Sequence, residues 1–364
     1  MKIAIIFFQL GIGGIQRKTV DLINILTHQK KVKEVHVILN TRENFNMIPL
    51  LNQKKLRLHI KQESILCPKK IPFWFFINTM LLKTHPDSTL AFLDYCSIAS
   101  LHYAKYKPGK PPRIILCEDG LTSAYTNYHQ DPLRQWLIRR HYPSADRIIC
   151  PSRAIRNQLI RKYKIPIEKL VIIPNWSSVG KPNKIKGKKY DVIFAGRFEH
   201  QKNVSYILKA FRDINNVLPF ATLVMVGEGS QKPRLLKLAR FLNIRHNVTF
   251  RSSTNRINRI IQQSRIMLLS SRYEGMPVVA LESLALGTPI VTTNFIGVKD
   301  FIRHGENGFI CHSKKEMISY ALQLLQHNKL RKHMALKAIA RAQKDFSRKH
   351  AFRYAQMLTN SDGK

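Results

Sequence analysis

Short runs of consecutive apolar residues recur along the chain, separated by longer stretches where apolar side chains return every third or fourth position. The first run, Lys2 to Phe8, leads into a glycine turn, an amphipathic stretch from Ile15 to His28, and a second run at Val35 to Leu39. Others occupy Thr89 to Leu93, Arg113 to Cys117 and Arg147 to Cys150. An unbroken apolar run bounded by turn residues marks a strand buried on both faces, and the periodic stretches between the runs read as helices. Strand and helix in alternation predict a parallel sheet covered on both sides.

Residues 173–190 interrupt this order with Pro, Gly, Lys, Asn and Ser and no apolar period, which predicts an interdomain linker. The alternation then restarts at Asp191 to Ala195 and continues through Thr222 to Val226, Val248 to Phe250, Ile266 to Leu269 and Pro289 to Thr292. A basic helix over Phe346 to Leu358 closes the chain. The expected division is 1–175, 176–345 and a terminal segment 346–364. Two doubly wound α/β domains predict a substrate cleft between them.

The length of 364 residues suits two domains, and an apolar content of 44% supplies two cores. Charge changes the picture more. Lys and Arg number 61 against 22 acidic residues, a net charge of +39, which implies an anionic partner: phospholipid head groups, nucleic acid or a phosphorylated glycan. The excess is spread over both halves with no low-complexity basic arm, so dedicated nucleic-acid binding is not expected. The cysteines (Cys67, Cys96, Cys117, Cys150, Cys311) form neither a C-x-x-C pair nor a zinc-spaced cluster, and read as reduced core thiols in a cytosolic setting. No metal site is expected. The opening Met-Lys-Ile-Ala-Ile-Ile-Phe-Phe lacks the length and cleavage site of a signal peptide. No apolar run reaches the ~20 residues needed to span a bilayer.

The densest chemistry lies in Ser271-Arg272-Tyr273-Glu274-Gly275-Met276-Pro277-Val278, which runs on to Glu282. Glu274 closes the strand Ile266 to Leu269, Gly275 and Pro277 mark a helix start, and Glu282 is expected about two turns into that helix. Free first-turn amides hold anions. The segment therefore offers a diphosphate cradle, a carboxylate for sugar hydroxyls in Glu274 and one for ribose hydroxyls in Glu282. A bare Glu pair at this spacing reads first as a solvated helix face, but the strand–loop–helix order places both at the carboxyl edge of a parallel sheet, where ligands bind in open α/β folds.

Phe194-Ala195-Gly196-Arg197 ends the first strand of the second half, with Lys202 shortly after. Cleaving a sugar–diphosphate bond leaves charge on the departing phosphates, and preorganised cations stabilise it. Arg supplies a fork and Lys a point charge. Gly13 and Gly14, after Gly11, allow a phosphate to approach the first helix, or simply make a tight turn. The pattern is not G-x-G-x-x-G, which excludes a dehydrogenase. Glu118 and Asp119, after the strand Arg113 to Cys117, and Asp94, after Thr89 to Leu93, are acceptor-side candidates for receiving a hydroxyl proton, or members of solvated loops. Pro68 to Lys83 and Pro132 to His141 interleave aromatic and basic residues, as a peripheral membrane segment or a core helix with a basic face would.

Together these residues resemble the GT-B glycosyltransferases of the retaining family 4 type. The resemblance rests on Phe194 to Arg197 with Lys202, Val226-Gly227-Glu228-Gly229, Glu274 to Glu282, and Gly305-Glu306-Asn307-Gly308-Phe309, with weaker echoes in Gly13 to Arg17 and Pro174-Asn175. It implies two Rossmann-like doubly wound domains facing across a cleft, the N-terminal one taking the acceptor and the C-terminal one the donor. It also implies a last helix returning to the N-terminal domain. By the same resemblance Glu274 and Glu282 bind donor sugar and ribose, and Arg197 and Lys202 the diphosphate. Gly13, Gly14, Gly196, Gly275, Met276, Pro277 and Val278 line the donor. The expected activity is metal-independent transfer of a hexose-type sugar, with retention, from a nucleotide-sugar co-substrate and with no cofactor. The acceptor is a lipid-linked or phosphorylated glycan in lipopolysaccharide or surface-glycan synthesis, at an anionic inner membrane face. The sequence departs from the family where Cys117-Glu118-Asp119 replaces a usual His, and where Phe250-Arg251-Ser252 replaces a Gly-containing turn. An inactive protein that keeps the fold, and a charge-driven nucleic-acid binder, are the competing readings.

Overall fold

The structure, a computed structural model, describes residues 1–10, 13–41, 54–61, 72–107, 109–120, 132–180, 182 and 187–360. Gly11, Cys67, the opening of the Pro68 to Lys83 stretch and part of the segment 173–190 lie outside them. The chain divides into two compact units, Met1–Pro174 with Arg348–Lys364, and Asn175–Ser347.

In the first unit a parallel sheet runs in the order β3-β2-β1-β4-β5-β6-β7. The strands are β1 (Lys2–Phe7), β2 (Glu34–Leu39), β3 (Leu56–Ile60), β4 (Ser88–Phe92), β5 (Arg113–Cys117), β6 (Arg147–Cys150) and β7 (Leu170–Ile172). Ile3, Ala4, Ile5 and Ile6 are all fully buried, so both faces of β1 are packed, which is why its apolar run is unbroken. The order reverses between β1 and β4, which makes their carboxyl ends the switch point of this sheet. Leu93, expected to end β4, instead opens the helix Leu93–Tyr106 with φ at 67°, a left-handed turn that takes the chain from strand to helix with no loop.

The second unit holds a parallel sheet in the order β10-β9-β8-β11-β12-β13. Its strands are β8 (Tyr190–Ala195), β9 (Leu223–Val226), β10 (Val248–Arg251), β11 (Ser264–Leu269), β12 (Ile290–Thr293) and β13 (Gly308–Cys311). Val192 and Phe194 enter one core, under helices Val204–Val217 and Lys314–Gln326. Ile193 and Ala195 enter the other, under Ile257–Gln262, Val278–Ala285 and Asn328–Asp345. This is the period-two alternation of a strand between two helical layers. The switch point falls between β8 and β11.

The stretch expected to be a free linker is partly core. Trp176 is buried, Asn175 Nδ2 donates to the Met276 carbonyl at 2.9 Å, and Ser177 N donates to that of Phe346 at 2.9 Å. A Trp buries enough apolar area to override polar neighbours. Phe346 also belongs to the second unit's core, so the terminal helix starts only at Lys349 and runs to Thr359. That helix packs in the first unit against Gly14–His28, with Ser88 Oγ donating to Leu358 O at 2.8 Å and the Arg113 guanidinium to Met357 O at 2.9 Å.

Candidate active site

Five of the polar side chains at the second unit's switch point form one cluster. β8 ends at Ala195, so Gly196 and Arg197 leave its carboxyl tip, while β11 ends at Leu269 and delivers Ser271 and Glu274 beside it. Glu274 is buried and ion-paired with Lys202. Its Oε1 also accepts from Ser271 Oγ at 2.7 Å, and its Oε2 from Gln201 Nε2 at 3.5 Å. Gln201 in turn accepts from the Arg197 guanidinium at 3.3 Å. Arg197 thus reaches Glu274 through Gln201, and Lys202 meets it directly, at the place where open α/β sheets bind ligands.

Backbone contacts hold the cluster. Lys202 closes a short 3-10 turn, His200–Lys202, after which Asn203 adopts a left-handed conformation (φ 48°) and begins helix Val204–Val217. Ser270 Oγ donates to the Lys202 carbonyl at 2.8 Å, and Gln201 Nε2 to that of Tyr273 at 3.0 Å, tying the two loops together. The second glycine turn braces the first: Gly196 N donates to Val226 O at 3.0 Å and Phe198 N to Glu228 O at 2.7 Å. A Cβ on Gly227 would fall 1.9 Å from the Gly196 carbonyl oxygen, so only glycine permits this approach.

Gly275, Met276 and Pro277 form a buried connection, and the helix begins after it, at Val278, with Pro277 as its N-cap. Glu282 is therefore the fifth helical residue, just over one turn in rather than two, and it is buried. The first-turn amides of this helix open towards the Glu274 loop.

The first unit treats its candidates differently. Gly13 caps helix Gly14–His28 at the tip of β1. Asp94, Glu118 and Asp119 are all buried, not solvated. Asp94 pairs with Arg134. Asp119 pairs with Lys18 at 2.7 Å; both side chains are almost wholly enclosed, and the Lys18 ammonium lies over the Phe92 and Tyr354 rings. Burial pulls the Lys18 ammonium down, yet Asp119 and Cys117 reverse this and hold it above its ordinary value. Glu118 accepts from the Tyr142 hydroxyl at 2.9 Å. Burial, then the nearby Asp94 charge, raises Glu118 from 4.5 to about 8, with the Tyr142 bond opposing. Each of these carboxylates is buried with an internal partner, which removes the alternative that they belong to solvated loops. Cys96, Cys117, Cys150 and Cys311 are buried free thiols, and burial raises Cys117 well above the ordinary range.

Sequence reasoning missed Lys18, Gln201, Ser271, Arg134 and Tyr142. Only Lys18 carried a signal: it shares a helix face with the buried Leu22 and Ile25, where a lysine needs a buried partner. Among the described residues no group of three or more His, Cys, Asp or Glu side chains is placed to hold a metal ion, and no helix is long and apolar enough to cross a membrane.

Comparison with known proteins places this sequence in a sugar-transferring class of α/β protein. Residues 179–342 match the family described as Glycosyl transferases group 1, and residues 12–177 match Glycosyltransferase Family 4. The chain belongs to this GT-B glycosyltransferase family. An uncharacterized glycosyltransferase of Haemophilus influenzae is 31% identical over 189 residues, which span 51% of this chain and only 53% of that protein. The N-acetylgalactosamine-N,N'-diacetylbacillosaminyl-diphospho-undecaprenol 4-alpha-N-acetylgalactosaminyltransferase of Campylobacter jejuni is 26% identical over 94% of both chains. Among solved structures, Anabaena HepE in complex with UDP-glucose superposes with a TM-score of 0.82 at 15% identity over 98% of both chains, a likeness of fold.

Proposed function

We propose that the second unit binds a nucleotide-sugar and that the chain transfers its hexose-type sugar, with retention and without a metal, to a glycan or lipid-linked acceptor in surface-glycan synthesis such as that of lipopolysaccharide. The observation that carries this is the Arg197–Gln201–Glu274–Lys202 cluster at the switch point. Without donor, Lys202 and Glu274 neutralise each other. Donor binding redirects both, Lys202 with Arg197 to the diphosphate and Glu274 to sugar hydroxyls, while Glu282 serves the ribose. Gly196 and the segment Gly275 to Val278 approach the phosphates through backbone.

In the transfer, the bond from the anomeric carbon to the phosphate oxygen breaks and its electron pair leaves with the nucleoside diphosphate. The acceptor oxygen bonds to that carbon from the same face, which retains the configuration, and its proton passes to the departing phosphate oxygen. Arg197 and Lys202 carry the charge that develops there, the role a metal would otherwise fill. Asp94, Glu118 and Asp119 then shape the acceptor side through their buried pairs, not as a free base.

For the acceptor, the lipid diphosphate in the Campylobacter relative's name supports a lipid-linked substrate. In the first unit, helices Phe73–Thr84, Leu93–Tyr106 and Pro132–His141 pack side by side and expose Trp74, Phe75, Tyr106 and Trp136 among basic residues. That surface suits peripheral attachment to the anionic inner face of a cytoplasmic membrane.

The test is direct. A thermal-shift screen over UDP, GDP, ADP and CMP sugars identifies the donor. With it, Glu274→Gln should transfer about a hundredfold more slowly, ~2.7 kcal/mol. The variant leaves Lys202 partly buried without its partner, so turnover is normalised to the folded fraction. Arg197→Ala and Lys202→Ala should bind the nucleoside diphosphate product more weakly. Near-normal transfer by the Glu274 variant, with product affinity unchanged in the other two, overturns the reading.

A further inference from the structure

The second unit carries a groove of about 540 Å³ that shares no residue with the Arg197–Glu274 cluster. Its cations are Lys189, Arg251, Arg256 and Arg259, and Ser252 and Thr254 add hydroxyls. Arg251 ends the edge strand β10, while Arg256, Arg259 and Gln263 recur at helical spacing along one side of Ile257–Gln262 and its ends. Tyr190 lies beneath, its ring met by the Lys189 ammonium at 5.7 Å and the Arg251 guanidinium at 5.8 Å.

A chain with net charge +39 has basic surface everywhere, so cations alone decide nothing. What separates this place is that four uncompensated cations converge on one concavity. Some cations elsewhere in the unit have acidic partners: Arg265 with Asp191 at 3.2 Å, Lys232 with Glu228 at 3.1 Å, Lys314 with Asp213 at 2.8 Å. Among the described residues, none of the four groove cations is in an ion pair, and no carboxylate lines the groove. Like charges converging on one concavity repel, focus the field and concentrate anions there. Three guanidiniums add forked donors that match phosphate oxygens. The volume lies within the ~300–1,000 Å³ range of small-molecule sites.

We propose that this groove is a second anion site, built for a small molecule or glycan segment bearing two or more phosphate groups, and separate from the donor's diphosphate. The inference does not depend on the transfer reaction: it holds for a chain that transfers nothing. Arg251 nevertheless adjoins the donor side, since its carbonyl accepts from Gly227 N at 3.0 Å, in the turn that braces Gly196.

Pyrophosphate and fructose 1,6-bisphosphate are the probes, titrated calorimetrically into the full chain carrying Lys202→Ala to disable the donor's phosphate contacts. One saturable site should remain. Adding Arg256→Gln and Arg259→Gln should weaken it at least about tenfold. Replacing Arg234 and Lys237, exposed on another helix of the same unit, by Gln should leave it unchanged. Unliganded melting temperatures of all variants establish folding. Tighter binding of the bisphosphate than of pyrophosphate indicates a phosphorylated sugar, and the reverse indicates a compact polyphosphate; either supports the site. The proposal is overturned if no site survives Lys202→Ala, if the groove variants bind normally, if the control pair loses as much, or if UDP displaces the probe one for one.

Discussion

Replacing Glu118 by Gln should make the protein more stable at neutral and alkaline pH. The carboxyl is enclosed at the tip of β5, accepts one hydrogen bond from Tyr142 at 2.9 Å, and is raised from 4.5 to about 8, first by burial and then by the Asp94 charge. The folded protein therefore keeps a proton on Glu118 that the unfolded chain releases near 4.5. Where the native state binds more protons, stability falls as pH rises. The contribution of Glu118 is thus intact below pH 4.5, declines through the window from 4.5 to about 8, and is gone above it. The limiting slope is ~1.4 kcal/mol per pH unit. Gln copies the protonated carboxyl: its carbonyl still accepts from Tyr142, and it has no proton to lose. Urea unfolding of both proteins at several pH values isolates the effect, because other groups, including His59, which burial holds down at about 4, contribute equally to each and cancel. The stability gap, variant minus wild type, should widen in the variant's favour from about pH 5 to about pH 8. A gap that stays constant across that range would refute the argument and return Glu118 to ordinary titration.

Gly227→Ala places a methyl 1.9 Å from the Gly196 carbonyl and should cost about 1–3 kcal/mol while weakening nucleoside diphosphate binding, whereas Gly180→Ala, with nothing within 4 Å, should do neither; urea midpoints and calorimetry distinguish them. For the first unit, co-sedimentation should show binding to anionic vesicles, little to neutral ones and partial release by salt, at roughly 1 kcal/mol per basic residue near the surface. Substituting Trp136, Arg139 and Arg140 should cut that binding with donor affinity unchanged, and equal binding to both vesicle types would discard the membrane surface.

The central strands were legible because burial on both faces leaves a mark that needs no partner to be seen: β1 is apolar from Ile3 to Phe7, β8 from Val192 to Ala195 and β11 from Ile266 to Leu269, and β2 is broken after Val35 only by His36. β3, β7 and β13 were not: β3 carries the exposed Arg57, β7 has only three residues, and β13 opens on Gly308, which reads as part of the preceding turn. Arg197, Lys202 and Glu274 could be picked from local order alone, as each follows a glycine turn or strand end where phosphate chemistry is expected.

Local sequence by itself determined the alternation of strand and helix, the two-unit organisation and the residue types at the carboxyl ends of the strands, because these depend on periodicity and on neighbours within a turn or two. Only the tertiary structure decided which of those residues meet. Gln201 joins Arg197 to Glu274 because β8 and β11 are adjacent in space though far apart in the chain. Lys18 and Asp119 form a closed pair because β1, β4 and β5 lie side by side and the terminal helix lays Tyr354 over them. A carboxylate's charge state is set by what encloses it, and enclosure is a property of elements brought together from distant parts of the chain. That is why Glu118 and Glu274, alike as letters, differ in their surroundings: one is held by the Tyr142 phenol, the other lies between Lys202 and Gln201.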